Sequence, residues 1–451
     1  MSRNILMLVC CTLAQLTPLA YKSIFGYNEY YIYPSMMSHT MLIIPIVVLF
    51  LLKNRYSKAF LIIWIAWLYV GELKILTYFA INPYYISMDE GCIVYTVFLI
   101  FLSLGMLLHD ANTYIPVLSE EVRTVGRPFY NDLAWFEYII LAFPLIWILD
   151  FVRNVGFIPI LSGGDVTDTM YGLTYGYIYN FGFFNCLSAV LLYDKFLKST
   201  GRGGKLIWLV MLVMAMLIMS ADSKRLYLLV SLLAIFVYDK LMAGELTIDR
   251  KTIIMLFSGV FLYVLLQNIR LGNATESPFQ RDGFPLGAEF REYVRAVNEF
   301  KPGEIPGYDL AASTVGAFVN SFLLRLAGFD KSELVHKDSA YSFMKLFDEE
   351  NTLGIRTGLT SELYFAYGFY GLIVITCFGW LISYLSYRLV WVTKKSTLVF
   401  LSTVYGLLVL TVFGQSSVTV GCLCVLLYLY GLLALVKQLS RRLTDTQPSM
   451  P

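Results

Sequence analysis

The chain has 451 residues, 58% hydrophobic and 16% aromatic but only 15% charged, against about a quarter charged in an ordinary soluble domain, and this excludes a water-soluble globular fold. Its net charge of +2 excludes a nucleic-acid partner bound through a broad basic face. Any recognition of phosphate has to be local.

The first segment, MSRNILMLVCCTLAQLTPLAY, sets Arg3 ahead of an apolar stretch, as a signal peptide would. No small-residue cleavage site follows, so it is expected to be the first span. Apolar stretches able to cross the hydrocarbon core, roughly 17 to 25 residues each, then fall near 36–52, 59–80, 91–108, 133–152, 171–193, 205–221, 225–241 and 252–269. Three more lie near 360–387, 396–413 and 418–436. Residues 36–52 are short for a span, and the charge pattern is what requires them to cross. The expectation is an all-α polytopic membrane protein with about twelve transmembrane helices.

Lysine and arginine crowd alternate loops: Lys53, Arg55 and Lys58; Lys195, Lys198, Arg202 and Lys205; Lys240, Arg250 and Lys251; Arg388, Lys394 and Lys395; Lys437, Arg441 and Arg442. The positive-inside rule makes these loops and both termini cytoplasmic. Residues 1–269 would then hold helices one to nine, 270–358 one large periplasmic loop, 359–437 helices ten to twelve and 438–451 a cytoplasmic tail. The loop begins with breakers in GNATESPFQRDGFPLGAEF, while REYVRAVNEF and STVGAFVNSFLLRLAGF have the apolar spacing of short helices. Twelve-span transporters of the major facilitator type usually carry their long central loop in the cytoplasm, and no internal repeat is visible here.

The seven cysteines lie mostly in apolar runs without a CxxC pair and suit small apolar positions on helices. His39, His109 and His336 lack partners at ligand spacing, so no metal site is indicated. Glu72 and Lys74 lie near the outer end of the third span, where snorkelling is the simplest account. Gly163 and Gly164 in GFIPILSGGDV permit a turn or a close backbone approach.

Three arginines point outward. Arg225 follows Lys224 in the tight turn SADSKRLY, Arg270 ends the ninth span in LLQNIRLGN, and Arg325 sits in apolar NSFLLRLAGF, where an unpaired charge is costly. The planar guanidinium donates paired hydrogen bonds to phosphate, so the three could converge on a lipid diphosphate. Arg225 and Arg270 equally suit snorkelling to headgroups, and Arg325 an ion pair with a loop carboxylate. His336, in KSELVHKDSAYSF, is a candidate for proton transfer or a solvated surface histidine. Glu362, in GLTSELYFAYGFYGL, is a candidate base or a charge at the start of a helix.

In order between Phe151 and Leu381, GFIPILSGG, SADSKRLYLLVSLLAIF, LLQNIRLGN and SELYFAYGFYGLIV resemble segments of the Wzy-type O-antigen polymerases, the oligosaccharide repeat-unit polymerases. The chain reads Ser223, Lys224, Arg225 and Leu226 where that family commonly has serine, arginine and glycine. The resemblance implies a multi-pass glycosyltransferase of the bacterial inner membrane. It would move a growing glycan from undecaprenyl diphosphate onto a new lipid-linked repeat unit at the periplasmic face. Arg225, Arg270 and Arg325 would hold the leaving diphosphate, and His336 or Glu362 would deprotonate the acceptor hydroxyl. Neither metal nor cofactor would be required. Membrane lipid, a flippase and a chain-length regulator would be its partners, and nucleic acid would not. An O-antigen ligase, which uses the same donor, is the nearest rival. A flippase or other transporter of lipid-linked oligosaccharide is a rival of another class, expected to carry more charge along its spans.

Overall fold

A computed structural model describes residues 41–79, 89–113, 132–133, 136–158, 178–221, 225–242, 250, 288–319, 321–347, 357–412 and 414–445. All regular elements among them are helices. The first group is α1 (Ile43–Leu51), α2 (Arg55–Phe79), α3 (Asp89–Ala111), α4 (Phe136–Val155), α5 (Phe184–Lys198), α6 (Arg202–Met219) and α7 (Arg225–Met242). Short helices follow: α8 (Ala288–Glu299), α9 (Leu310–Phe318), α10 (Ser321–Leu326), α11 (Lys331–Val335) and α12 (Ser339–Phe347). The last group is α13 (Leu359–Tyr367), α14 (Gly371–Val390), α15 (Lys395–Val409) and α16 (Ser416–Asp445).

Among the described residues, five stretches are long and apolar enough to cross a membrane: Glu90–Ala111, Phe136–Val155, Arg202–Met219, Leu359–Val390 and Lys395–Val412. This is the fold of a helical membrane protein. α6 makes the physical point by itself, since Leu206, Ile207 and Leu217 are all exposed on it; such a surface is stable against hydrocarbon and a liability in water. The spans expected near 4–21 and 252–269 lie outside the described residues, and so does Arg270.

The tightest contact in the bundle joins α3 and α14. A Cβ on Gly105 would overlap the carbonyl of Thr376, and one on Gly379 would overlap that of Leu102, so the two backbones touch at the only residue type that allows it. One helix turn further on, His109 Nδ1 meets Ser383 Oγ at 3.1 Å, with the edges of Trp380 and Tyr384 packed around the imidazole. From Gly105 on Thr376, through Met106 on Gly379, to His109 on Ser383 the contacts advance in the same direction along both helices, so α3 and α14 are parallel neighbours.

The stretch Leu359–Val390 is not one straight rod. Gly368 has φ +56°, and there the helix ends, passes through the 3-10 turn Gly368–Tyr370 and restarts as α14. The break frees the carbonyl of Phe365, which accepts from Gly303 N at 3.1 Å, and Pro302 packs over Gly368. A neighbouring loop thus satisfies the backbone group that the broken helix leaves open.

The lysine-rich loop ends meet at one end of the bundle. Lys395, 3% exposed, opens α15 and reaches Asp194 at 2.7 Å and Glu137 at 3.1 Å. Lys195 adds a 2.7 Å contact to Glu137 and Lys198 a 2.9 Å contact to Asp194, while Tyr238 OH donates to Asp194 at 2.7 Å. Three lysines and two carboxylates therefore bind α4, α5, α7 and α15 together. Nearby in type, Asp110 accepts from the backbone N–H groups of Lys53 and Asn54 and so ties the end of α3 to the start of α2.

The region expected as one large loop with short helices packs on the rest of the bundle. REYVRAVNEF falls in α8 and STVGAFVNSFLLRLAGF in α9 and α10, as expected, but these helices lie against the long helices. Phe290 of α8 covers Gly71 of α2, and the rings of Phe290 and Tyr293 pack on Tyr95 at 5.3 and 5.7 Å. α8 thereby covers this part of α2, so Glu72 is buried and does not snorkel. α9 lies along α16: Ala317 sits on Gly421, and Tyr428 OH donates to the carbonyl of Phe318 at 3.2 Å.

Removing the central cation leaves two buried carboxylates short of a partner. Lys395→Ala is expected to destabilise the protein by about 3–5 kcal/mol, read as a lowered unfolding free energy in detergent micelles.

Candidate functional site

The polar groups at the other end of the bundle are arranged around Glu362. α13 begins with Leu359, which places Glu362 in its first turn, and the side chain is 1% exposed. One carboxylate oxygen accepts from Ser339 Oγ at 2.6 Å, and the other from the backbone N–H of Ser416 at 2.8 Å. Ser416 is the first residue of α16, so the carboxylate lies at the positive end of that helix, where negative charge is favoured. Tyr308 OH donates to the Glu362 carbonyl at 2.7 Å. Burial, followed by the charge of Glu362, pushes the Tyr308 phenol far up, so it remains a donor.

Asp338 makes the neighbouring joint. It caps α12 by accepting from Tyr341 N at 2.9 Å and accepts from Gln415 Nε2 at 3.0 Å. Burial raises its carboxyl above the ordinary 3.8 despite those two donors. Asp309 N donates to the Lys337 carbonyl at 2.9 Å, so three successive residues, Lys337, Asp338 and Ser339, are pinned to α9, α16 and α13 in turn. Two buried hydroxyls here, Thr360 Oγ1 and Ser416 Oγ, have no hydrogen-bond partner among the described residues. They leave the junction with unused hydrogen-bonding capacity.

His336 stands on this frame. It is exposed, ends α11, and meets the Tyr341 ring edge-on at 4.5 Å between centroids. Asp330 caps α11 by accepting from Ser332 N at 2.9 Å. That hydrogen bond, with the charges of Arg325 and His336 adding to it, holds the Asp330 carboxyl below its usual range. Arg325 is exposed on α10. Arg325 and His336 are thus each near enough to Asp330 for their charge to lower its carboxyl.

Of the residues singled out in the sequence, His336 and Glu362 belong to one junction and Arg325 lies beside it. Arg225 opens α7, and its side chain is outside the described residues. Ser339, Asp338, Gln415 and Tyr308 were not legible as site residues, because their partners lie 23 to 77 positions away in the chain. The nearest signal was the uncharged polar run Gln415, Ser416, Ser417 at a turn between two apolar helices.

No protein-family model, curated protein or solved structure matches the chain.

The raised carboxyl of Asp338 fixes a sign. Its contribution to stability is complete below pH 3.8 and is lost as pH rises through the raised value. Asp338→Asn is expected to keep the cap, remove that pH dependence and match or exceed the native stability at pH 7. Asp338→Ala is expected to cost about 1–3 kcal/mol. Thermal melts of both variants between pH 3.5 and 7 check this.

Proposed function

We propose that the protein is a multi-pass glycosyltransferase of the bacterial inner membrane, with about twelve spans, that polymerises undecaprenyl-diphosphate-linked repeat units at the periplasmic face. The observation that carries this reading is the exposed His336, held on a pinned frame with Arg325 beside it, at the end of the bundle opposite the lysines. The lysine end fits the cytoplasmic face by the positive-inside rule, so the His336 end would be periplasmic. The order of the four segments that resemble the Wzy-type polymerases supports the same assignment.

On this reading the acceptor sugar hydroxyl gives its proton to His336, and its oxygen attacks the anomeric carbon of the donor glycan. The bond from that carbon to the diphosphate oxygen breaks, and the diphosphate leaves with its charge stabilised by Arg225, Arg270 and Arg325. Glu362 acts as a positioning residue: both of its oxygens are committed to Ser339 and Ser416, and it fixes the segment that carries His336. Membrane lipid, a flippase that delivers repeat units and a chain-length regulator are the partners that accompany this reading.

The test is the lipopolysaccharide ladder of cells carrying single variants at matched membrane levels. His336→Ala and Arg325→Ala are expected to reduce the ladder to core plus one repeat unit, with polymerisation slowed about 100-fold or more. Glu362→Gln, which can accept from Ser416 N and donate to Ser339, is expected to keep most of the ladder. Loss with Glu362→Gln and retention with His336→Ala would exchange their roles. Core without any repeat unit would favour a ligase or flippase, and unchanged ladders in both alanine variants would sink the reading.

A further inference from the structure

Between α16 and the faces of α4, α5 and α15 lies a cavity of about 280 Å³. Ile140, Leu187, Val399 and Leu426 form apolar walls, and the polar side chains Asp132, Lys394, Ser396 and Gln438 also line it. Leu426 and Gln438 are twelve residues apart on α16, so the cavity runs about 18 Å along that helix. Lys394, Ser396 and Gln438 belong to the lysine end of the bundle, since Lys394 directly precedes Lys395 and α16 runs from Ser416 toward that end. The cavity is therefore an elongated slot, apolar in depth and polar at the mouth.

Its setting limits what can fill it. α16 exposes Leu427, Leu432 and Leu435, a surface that faces hydrocarbon in a membrane, and water has no partners along the apolar walls. At the mouth the charges are uneven. Asp132 accepts from Ser396 N at 3.0 Å and from Ser396 Oγ at 2.7 Å, so its carboxylate is engaged at the first turn of α15. Lys394 is exposed and makes no ion pair among the described residues. A compact ammonium group beside an apolar slot matches a phosphate attached to a hydrocarbon chain.

We propose that the slot is a lipid-binding site that takes one hydrocarbon chain of an anionic phospholipid from the leaflet at the lysine end, with its phosphate at Lys394 and Gln438. The inference is independent of the polymerase reading and needs only that the bundle is embedded in a membrane. Bound lipid would wedge α16 against α4, α5 and α15, on the same helix whose first residue holds Glu362.

Native mass spectrometry tests it on the full chain, delipidated in mild detergent and titrated with phosphatidylglycerol or phosphatidylcholine of identical chains. The native protein is expected to bind one phosphatidylglycerol with at least tenfold preference. Lys394→Glu, on an exposed side chain, is expected to abolish that preference. Ala434→Phe, which fills the slot, is expected to lose both lipids while the melting temperature is kept. Binding that never saturates at one lipid, or that is unchanged in the Lys394 variant, overturns the proposal. So does displacement of phosphatidylglycerol by an equal concentration of polyprenyl phosphate.

Discussion

Lys395 is a cation buried at the first turn of a helix, where the backbone dipole is also positive, and nearly everything at that end of the bundle follows from neutralising it. Glu137 and Asp194 supply the negative charge, and each then needs a further cation, which Lys195 and Lys198 provide. The result is a closed set of contacts between four helices in a place where apolar packing alone has no direction. Hydrocarbon on both sides of a helix interface gives little preference for one register over another; charges with a single satisfied arrangement give a strong one. Interfaces elsewhere reach specificity by shape, as Gly105 and Gly379 do in the contact of α3 with α14.

The opposite end is built on another principle. Hydroxyls, an amide and backbone N–H groups, not cations, satisfy Glu362 and Asp338. The arginine and the histidine nearby, Arg325 and His336, are both exposed. One end of the bundle is thus joined by lysine–carboxylate pairs, and the other by neutral donors.

Composition and period made most long helices legible. Expected spans near 59–80, 91–108, 133–152, 205–221 and 225–241 coincide with α2, α3, α4, α6 and α7, because a long apolar run has few alternatives. The lysine clusters were legible as loops of one side, and two of them, at Lys195 and Lys198 and at Lys395, share carboxylates that did not stand out in the sequence. What could not be read was long range. The expected large loop contains helices that lie on α2, α3 and α16, and Glu72 looked like a snorkelling charge because nothing local announces that α8 covers it. The break at Gly368, with its positive φ, has its partner far off, since the N–H that satisfies the freed carbonyl of Phe365 comes from Gly303, more than sixty positions earlier. Glu362 was visible as a charge at the start of a helix, but its two partners come from α12 and α16.

The parallel pairing of α3 with α14 bears on how the chain is made. Parallel neighbours cannot be joined by a short turn, and His109 and Ser383 are 274 positions apart, while Lys395 and Glu137 are separated by 258. During synthesis α3 and α4 therefore leave the ribosome long before the residues that complete their interfaces, with the small face around Gly105 uncovered and Glu137 waiting for its second lysine. The bundle closes only when its last four helices arrive. A stalled or truncated chain is thus an open bundle with an unfinished charge cluster.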